Sequence, residues 1–252
     1  LGIVGMLIIL GGISYSVMAD VVRYRRFKRF TLDTRLVLVV SLILWALGAV
    51  VVFLSEFNNE GTLKALPLVD RVTNSLFMAV SGRTSGLTTI SLSQTEIHTN
   101  LFFTGVMFIG GASGSVAGGI KVNTLAVLLV AVAASISGRS QATAYGREIP
   151  PVQIQRALAV AFLGISFIFS VAFLLAMTEN IPFDDLLFET VSAFGTVGLS
   201  AGVTPVLSSW GQTIILITMF VGHIGPLTFA LALAQGQRPV VYRFAQERVR
   251  IG

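Results

Sequence analysis

The sequence contains no cysteine, two histidines and two tryptophans in 252 residues, and only 12% of it is charged. Without cysteine there is neither a disulfide framework nor a thiolate metal site, and the redox compartment stays open. The two histidines, His98 and His223, are distant in the chain and fall on opposite sides of the topology read below. No Walker-type phosphate loop occurs, so a catalytic constellation lacks its parts, and nothing here offers an organic cofactor or a nucleotide a site. The shortage of charge excludes most. A soluble domain is roughly 25% charged and about 45–50% apolar, whereas this chain is 54% hydrophobic with a mean hydropathy of +0.85. Such a fold cannot cover its own surface in water, and lipid supplies the missing solvent.

The chain carries a net charge of +5 and a pI near 10.1. Nucleic acid is not the partner this implies, because the basic residues are not interleaved with aromatic stacking platforms. They cluster between apolar runs. Spans of about 20 residues cross a hydrocarbon core, and the candidates are 1–22, 36–57, 99–136, 155–177 and 211–234. Arg23, Arg25, Arg26, Lys28, Arg29 and Arg35 follow the first; Arg139, Arg147 and Arg156 separate the third and fourth; Arg238, Arg243, Arg248 and Arg250 follow the last. The opposite loops hold Glu56, Glu60, Asp70, Glu96, Glu179, Asp184 and Asp185. Excess Lys and Arg marks the cytoplasmic face, which places these basic loops and the C-terminus inside. The chain begins at Leu1 within an apolar run, as the tail of a spanning helix, and is read as the C-terminal part of a longer polypeptide.

Two moderately apolar segments, 66–81 and 181–194, have both ends outside and are too short to cross. Each is expected to dip in as a helix and return as a loop. Irregular backbone at membrane depth is tolerated only when buried in protein or lining a water-filled cavity. A repeat supports this. Leu76-Phe77 and Val80-Ser81 match Leu187-Phe188 and Val191-Ser192. After one inserted residue, Thr84-Ser85-Gly86-Leu87-Thr88 matches Thr196-Val197-Gly198-Leu199-Ser200, and Met107-Phe108-Ile109-Gly110 matches Met219-Phe220-Val221-Gly222, both at an offset of 112.

Each unit therefore reads as outer helix, re-entrant pore helix, filter loop, inner helix. Potassium filters replace an ion's water with backbone carbonyls in the pattern Thr-Val-Gly-Tyr-Gly, and glycine permits the angles required. Thr84, Ser85, Gly86 and Leu87, with Thr196, Val197, Gly198 and Leu199, are the expected K⁺-binding residues. Leucine stands at the aromatic position, and Thr88 and Ser200 replace the second glycine, so only part of each loop can form a stringent carbonyl ring.

The strings SGRTSGLTT (81–89), FIGGASGSVAGGIK (108–121), ETVSAFGTVGLSAG (189–202) and MFVGHIGPLT (219–228) resemble the ion-translocating subunit of the Trk/Ktr/HKT potassium transporter superfamily, most of all its bacterial Ktr members. The resemblance covers essentially the whole chain. It implies an all-α membrane protein with four such units around a pseudo-fourfold pore. Residues 1–30 would then be the inner helix of unit two with a basic cytoplasmic loop, 31–139 unit three, 140–235 unit four and 236–252 a cytoplasmic tail. A closed filter needs four loops, so this piece alone should not conduct. The resemblance further implies K⁺ uptake through the inner (plasma) membrane, a homodimer of the full subunit in lipid, and a cytosolic nucleotide-binding RCK-type ring docked on the basic loops. A Na⁺-permeable or Na⁺-coupled transporter of the same fold is the alternative, with Na⁺ as a modulator beside transported K⁺ a further expectation; in plant HKT relatives a serine in the first filter favours sodium.

Glycine costs about 1 kcal/mol in a helix interior, yet 108–121 holds Gly110, Gly111, Gly114, Gly118 and Gly119 with Ser113 and Ser115. A broken helix is expected there, with tight helix packing on small residues as the alternative. In the resembled family this segment is the gate below the filter. Lys121 closes it, either facing the pore path or snorkelling to the interface. His223 stands where the family carries arginine, so it is either a pH-sensitive gate residue or a buried, hydrogen-bonded neutral histidine. Arg83 and Glu189 are expected to brace the filters from behind. Asp184 and Asp185 either concentrate cations at the outer mouth or serve as helix-start acids. Gly225-Pro226 is expected to kink the last helix.

Overall fold

The computed structural model of the chain describes residues 1–83 and 85–225. Among the described residues, two helices are long and apolar enough to cross a membrane unaided. Helix α3 runs over Leu32–Glu56, opened by Thr31, whose Oγ1 accepts from the Thr34 amide at 3.3 Å. Helix α7 runs over Pro151–Thr178, with proline at the first position, where its missing N–H costs nothing. At 1.5 Å per residue both exceed the roughly 30 Å hydrocarbon core. Their outward faces are bare apolar surface: Phe162 is 72% and Phe169 69% exposed.

The first apolar run, 1–22, corrects the expectation of one span. It forms α1 (Gly2–Gly12) and α2 (Tyr15–Tyr24), bent by 102°. The break has a local cause. Ser14 takes an extended conformation and caps α2 through its hydroxyl, and Gly12 spends its carbonyl on the Ala112 amide at 2.9 Å. Asp20 on α2 then accepts from the Thr31 amide (2.9 Å) and the Thr34 hydroxyl (2.8 Å), which fixes α2 to the start of α3.

The remaining order repeats itself. α3 is followed by the short α4 (Leu68–Ser81), an irregular loop and α5 (Ile97–Met107). α7 is followed by the short α8 (Phe183–Gly195), a loop and α9 (Ser209–Ile224). Between the two sets lie residues 108–121, α6 (Val122–Ile136) and a small hairpin of β1 (Thr143–Ala144) with β2 (Arg147–Glu148). At about 20 Å each, α4 and α8 cannot cross the core, as the sequence predicts for re-entrant helices. The expected run 99–136 is broken at residues 108–121, and α9 ends at Ile224 before Gly225 with φ +94°. The Pro226 part of the expected kink, the rest of run 211–234 and the tail 236–252 lie outside the described residues, as does Thr84.

Helix α8 is the most enclosed element, with every residue from Phe188 to Gly195 buried. Phe194 stacks on Phe108 and tilts against Phe167, each at 6.0 Å between ring centres. Lipid tails are as apolar as phenylalanine, so this burial gains little from the hydrophobic effect and rests on close packing instead. Gly222 and Gly48 permit that closeness. A Cβ on Gly222 would stand 2.7 Å from the Phe194 carbonyl carbon, and one on Gly48 3.0 Å from the Ala79 Cβ.

A carboxylate at the end of each long helix ties it to the start of the inner helix of its own unit. Glu56 accepts from the Glu96 amide (3.0 Å) and the Thr99 hydroxyl (2.5 Å) at the head of α5. Glu179 accepts from the Ser208 amide (3.1 Å) and the Ser208 hydroxyl at the head of α9. Each acid meets the positive end of a helix dipole, and the loop between is strung across a fixed gap.

Candidate filter and intramembrane loop

The loops following α4 and α8 meet. Gly86 has φ +68° and Gly198 φ +86°, the left-handed region that side chains avoid. A Cβ on Gly86 would lie 2.7 Å from the Val197 carbonyl oxygen and 3.2 Å from the Gly198 Cα. The two backbones are therefore in direct contact at their glycines, facing one another and not diverging into separate surroundings. Both loops leave helix C-termini, whose dipoles present partial negative charge, the sign that suits a cation.

Behind the glycines the hydrogen bonds match. The Ser192 hydroxyl donates to the Leu199 carbonyl at 2.5 Å, and the Ser81 hydroxyl donates to the Leu87 carbonyl. Ser81 also meets the Ser85 hydroxyl at 2.6 Å. The Leu87 and Leu199 carbonyls, within the expected K⁺-binding stretches, are thus each engaged by a hydroxyl of the short helix before the loop. Thr196 turns the second loop with φ +51°, while the Val197 amide donates to the Ser192 carbonyl at 2.9 Å.

Arg83 and Glu189, each expected to brace the filters from behind, have different partners. Glu189 accepts from the Ser200 hydroxyl at 2.9 Å and from the Thr204 hydroxyl, bracing the outer limb of its own loop. Arg83 is 5% exposed, lies 5.7 Å over the Trp45 ring, and donates to the Gly110 carbonyl at 2.8 Å. It thus holds the glycine-rich segment. Among the described residues its Nε and Nη1 have no partner.

That segment is a closed loop with a buried neck, residues 110–112 and 117–120, and an exposed tip at Ser113, Gly114 and Val116. Gly110 donates to the Ile120 carbonyl (2.8 Å) and Ile120 to the Phe108 carbonyl (3.2 Å), pinching its neck. Gly114 and Gly119 have φ +83° and +68°, which explains why glycines recur here. Four outside groups grip the loop. Besides Arg83, the Gly12 carbonyl takes the Ala112 amide, the Thr196 hydroxyl accepts from the Gly118 amide at 2.9 Å, and the Gly222 carbonyl accepts from the Gly119 amide at 3.2 Å. The loop is bonded to a filter residue and to the residue beside His223. Gly111 packs on Gly12, and the Ser113 amide donates to Asn123 Oδ1 at 2.8 Å. The Ser115 amide bonds the Ala112 carbonyl at 3.0 Å. Half-buried Lys121 folds its ammonium back on the Ala117 carbonyl, inside the loop it closes. Among the described residues, His223 in the last turn of α9 is exposed.

Asp184 and Asp185 open α8 and line a cavity of about 490 Å³ with Ser93, Thr95 and Asn100. Glu56, Gly12 and the Thr196 hydroxyl escaped sequence reasoning as structural ties. Ser81 and Ser192 were visible only as matching letters of the repeat.

The Cation transport protein family TrkH matches residues 2–238. The Ktr system potassium uptake protein B of Bacillus subtilis is 41% identical over 236 residues, covering 94% of this chain and 53% of that protein. The Potassium/sodium uptake protein NtpJ of Enterococcus hirae is 36% identical over 257 residues, covering 99% of this chain and 56% of that protein. The crystal structure of the potassium transporter TrkH from Vibrio parahaemolyticus superposes with a TM-score of 0.71 at 14% identity, over 91% of this chain and 50% of that one. The chain spans about half the length of the relatives it matches. With a mostly helical fold shared with a solved transporter and a family match along nearly its whole length, the chain belongs to the TrkH family of cation transport proteins.

Proposed function

We propose that this chain supplies two of the four filter loops of a potassium uptake protein in the cytoplasmic membrane. K⁺ sheds its water and is coordinated by main-chain carbonyls of Thr84, Ser85 and Gly86 and of Thr196, Val197 and Gly198, while Leu87 and Leu199 follow at the outer end of each loop. The observation that carries this reading is the backbone contact between Gly86 and Gly198, both left-handed and both at the end of a re-entrant helix. The loop 108–121 is the gate, held by Thr196, Gly222, Arg83 and Gly12 in the arrangement described. Lys121 and His223 belong to the same gate. The basic loops face the cytoplasm with the C-terminus. The full-length subunit forms a homodimer and docks a cytosolic nucleotide-binding ring of RCK type, which acts on the gate. Units 31–139 and 140–235 are the third and fourth of the pore.

Membrane potential drives the flux inward, because a carbonyl filter binds the dehydrated ion without a covalent or energy-coupled step. The Enterococcus hirae relative is named a potassium/sodium uptake protein, which supports a second reading with Na⁺ as permeant or coupled ion.

The test is ion flux by the full-length protein in liposomes. Potential-driven K⁺ influx well above Na⁺ influx is expected, and it should fall in Gly198→Ala. Equal K⁺ and Na⁺ fluxes would favour the second reading; no cation flux would reject both.

A further inference from the structure

The short helices α4 and α8 carry several hydroxyls, and most satisfy themselves within the helix. Thr73 donates to the Val69 carbonyl at 2.8 Å, Ser75 to Arg71 at 2.8 Å, and Thr190 to Leu186 at 2.7 Å, each one turn back. That back-bonding is the ordinary resting place of a serine or threonine in a helix. Ser81 and Ser192 do otherwise. Both forgo the carbonyl one turn behind and donate forward, to Leu87 and Leu199, across the turn into the loop. Ser81 is 0% and Ser192 3% exposed, so no water competes for either hydroxyl.

A carbonyl bonded to the helix behind the loop has its oxygen on the helix side, away from whatever the loop faces. In each loop this happens at the residue directly after the left-handed glycine. We propose that Ser81 and Ser192 are positioning residues for selectivity: by holding the Leu87 and Leu199 carbonyls against the pore helices, they end the ion-coordinating run at Gly86 and Gly198. The inference rests on the filter reading above and adds where the filter stops and what stops it.

Two further observations point to the serines and not to their neighbours. Glu189 also braces the second loop, through Ser200 and Thr204, but the position matching it in the first unit is Met78, which cannot accept such bonds. The serine is therefore the device the two units share. It also accounts for the absence of a second glycine. A carbonyl turned to the helix needs no further left-handed residue to aim it, so Thr88 and Ser200 stand there at no conformational cost.

The test uses the full-length protein in liposomes, with the K⁺/Na⁺ permeability ratio as the readout. Ser81→Ala and Ser192→Ala free the leucine carbonyls, and each is expected to lower the ratio about 3- to 10-fold, the scale of one buried hydrogen bond. Ser81→Thr and Ser192→Thr, which keep the hydroxyl, should restore most of it. Ser75→Ala is the control: it removes an equally buried pore-helix hydroxyl that never reaches the loop, and its ratio should match the unmodified protein. Should an alanine variant lose its monodisperse elution, Ser→Cys at the same site keeps the volume with a weaker donor and is expected to give an intermediate ratio. Alanine variants with an unchanged ratio would overturn this proposal alone, as would an equal fall in Ser75→Ala. Absence of K⁺ flux in the unmodified protein would instead remove the functional reading and this inference with it.

Discussion

Glu56 is the last residue of α3 and is 0% exposed. Its Oε1 accepts from the Glu96 amide (3.0 Å) and the Thr99 hydroxyl (2.5 Å), and its Oε2 from Asn59 Nδ2 (2.7 Å) and the Thr62 hydroxyl (2.8 Å). No cation neutralises it among the described residues, where Lys64–Glu60 is the ion pair found. Four donors and a helix N-terminus do that work instead. Glu56→Ala strands all four. The two hydroxyls can rotate to new partners and Asn59 keeps the Gln94 carbonyl, but the Glu96 amide cannot move, and leaving a buried donor unsatisfied costs about 1–3 kcal/mol. On the scale of 2–4 °C per kcal/mol for chains of about this size, the apparent Tm should drop by roughly 2–12 °C. Glu56→Gln keeps the shape and the Oε1 bonds but turns an N–H toward the Asn59 amide, so its drop should be about half as large. Thermal unfolding of the detergent-solubilised full-length protein, followed by tryptophan fluorescence, measures both. A Glu56→Ala melt within about 1 °C of the unmodified protein would refute the reasoning.

A Cβ on Gly118 would stand 2.7 Å from the Thr196 Cγ2 and 3.0 Å from the Gly195 carbonyl oxygen. Gly118→Ala should push residues 108–121 off the Thr196 turn at a cost of about 1–3 kcal/mol and, on the proposed gating role, change the resting rubidium leak; an unchanged leak would count against that proposal. Glu179 lies beyond the end of α7, and the Ser208 hydroxyl and amide hold its carboxyl below the ordinary 4.5. A carboxylate lowered in the folded state lends stability above that ordinary value and loses it as pH falls through the lowered one. Melts taken below about pH 4.5 should therefore destabilise the unmodified protein more than Glu179→Gln; parallel losses would contradict the clamp.

The re-entrant helices were legible from length and charge together: α4 and α8 are too short to cross, and the segments leading into them carry acids, Glu56 and Glu60 before the first and Glu179 before the second. The break at 108–121 was equally visible, since five glycines and two serines make a poor helix. The bend after Gly12 was not. Gly11-Gly12 and the capping Ser14 are a local turn signal, but they stand inside an apolar run that reads as one span, and the turn of 102° is fixed by a carbonyl bond to Ala112. Arg83 and Glu189 were correctly picked as buried charges needing partners, but pattern cannot say which partner, and each found a different one. Glu56 read as one acid among several in an outer loop, because its four donors lie between 3 and 43 residues away and share no spacing.

The most direct measurement is anomalous scattering from thallium or rubidium soaked into crystals of the full-length protein. A peak on a common axis, within coordinating reach of the Gly86 and Gly198 main-chain oxygens and absent beside the Leu87 and Leu199 carbonyls, is the expected result. Ions found only elsewhere, with these two glycines turned toward lipid, would contradict the account.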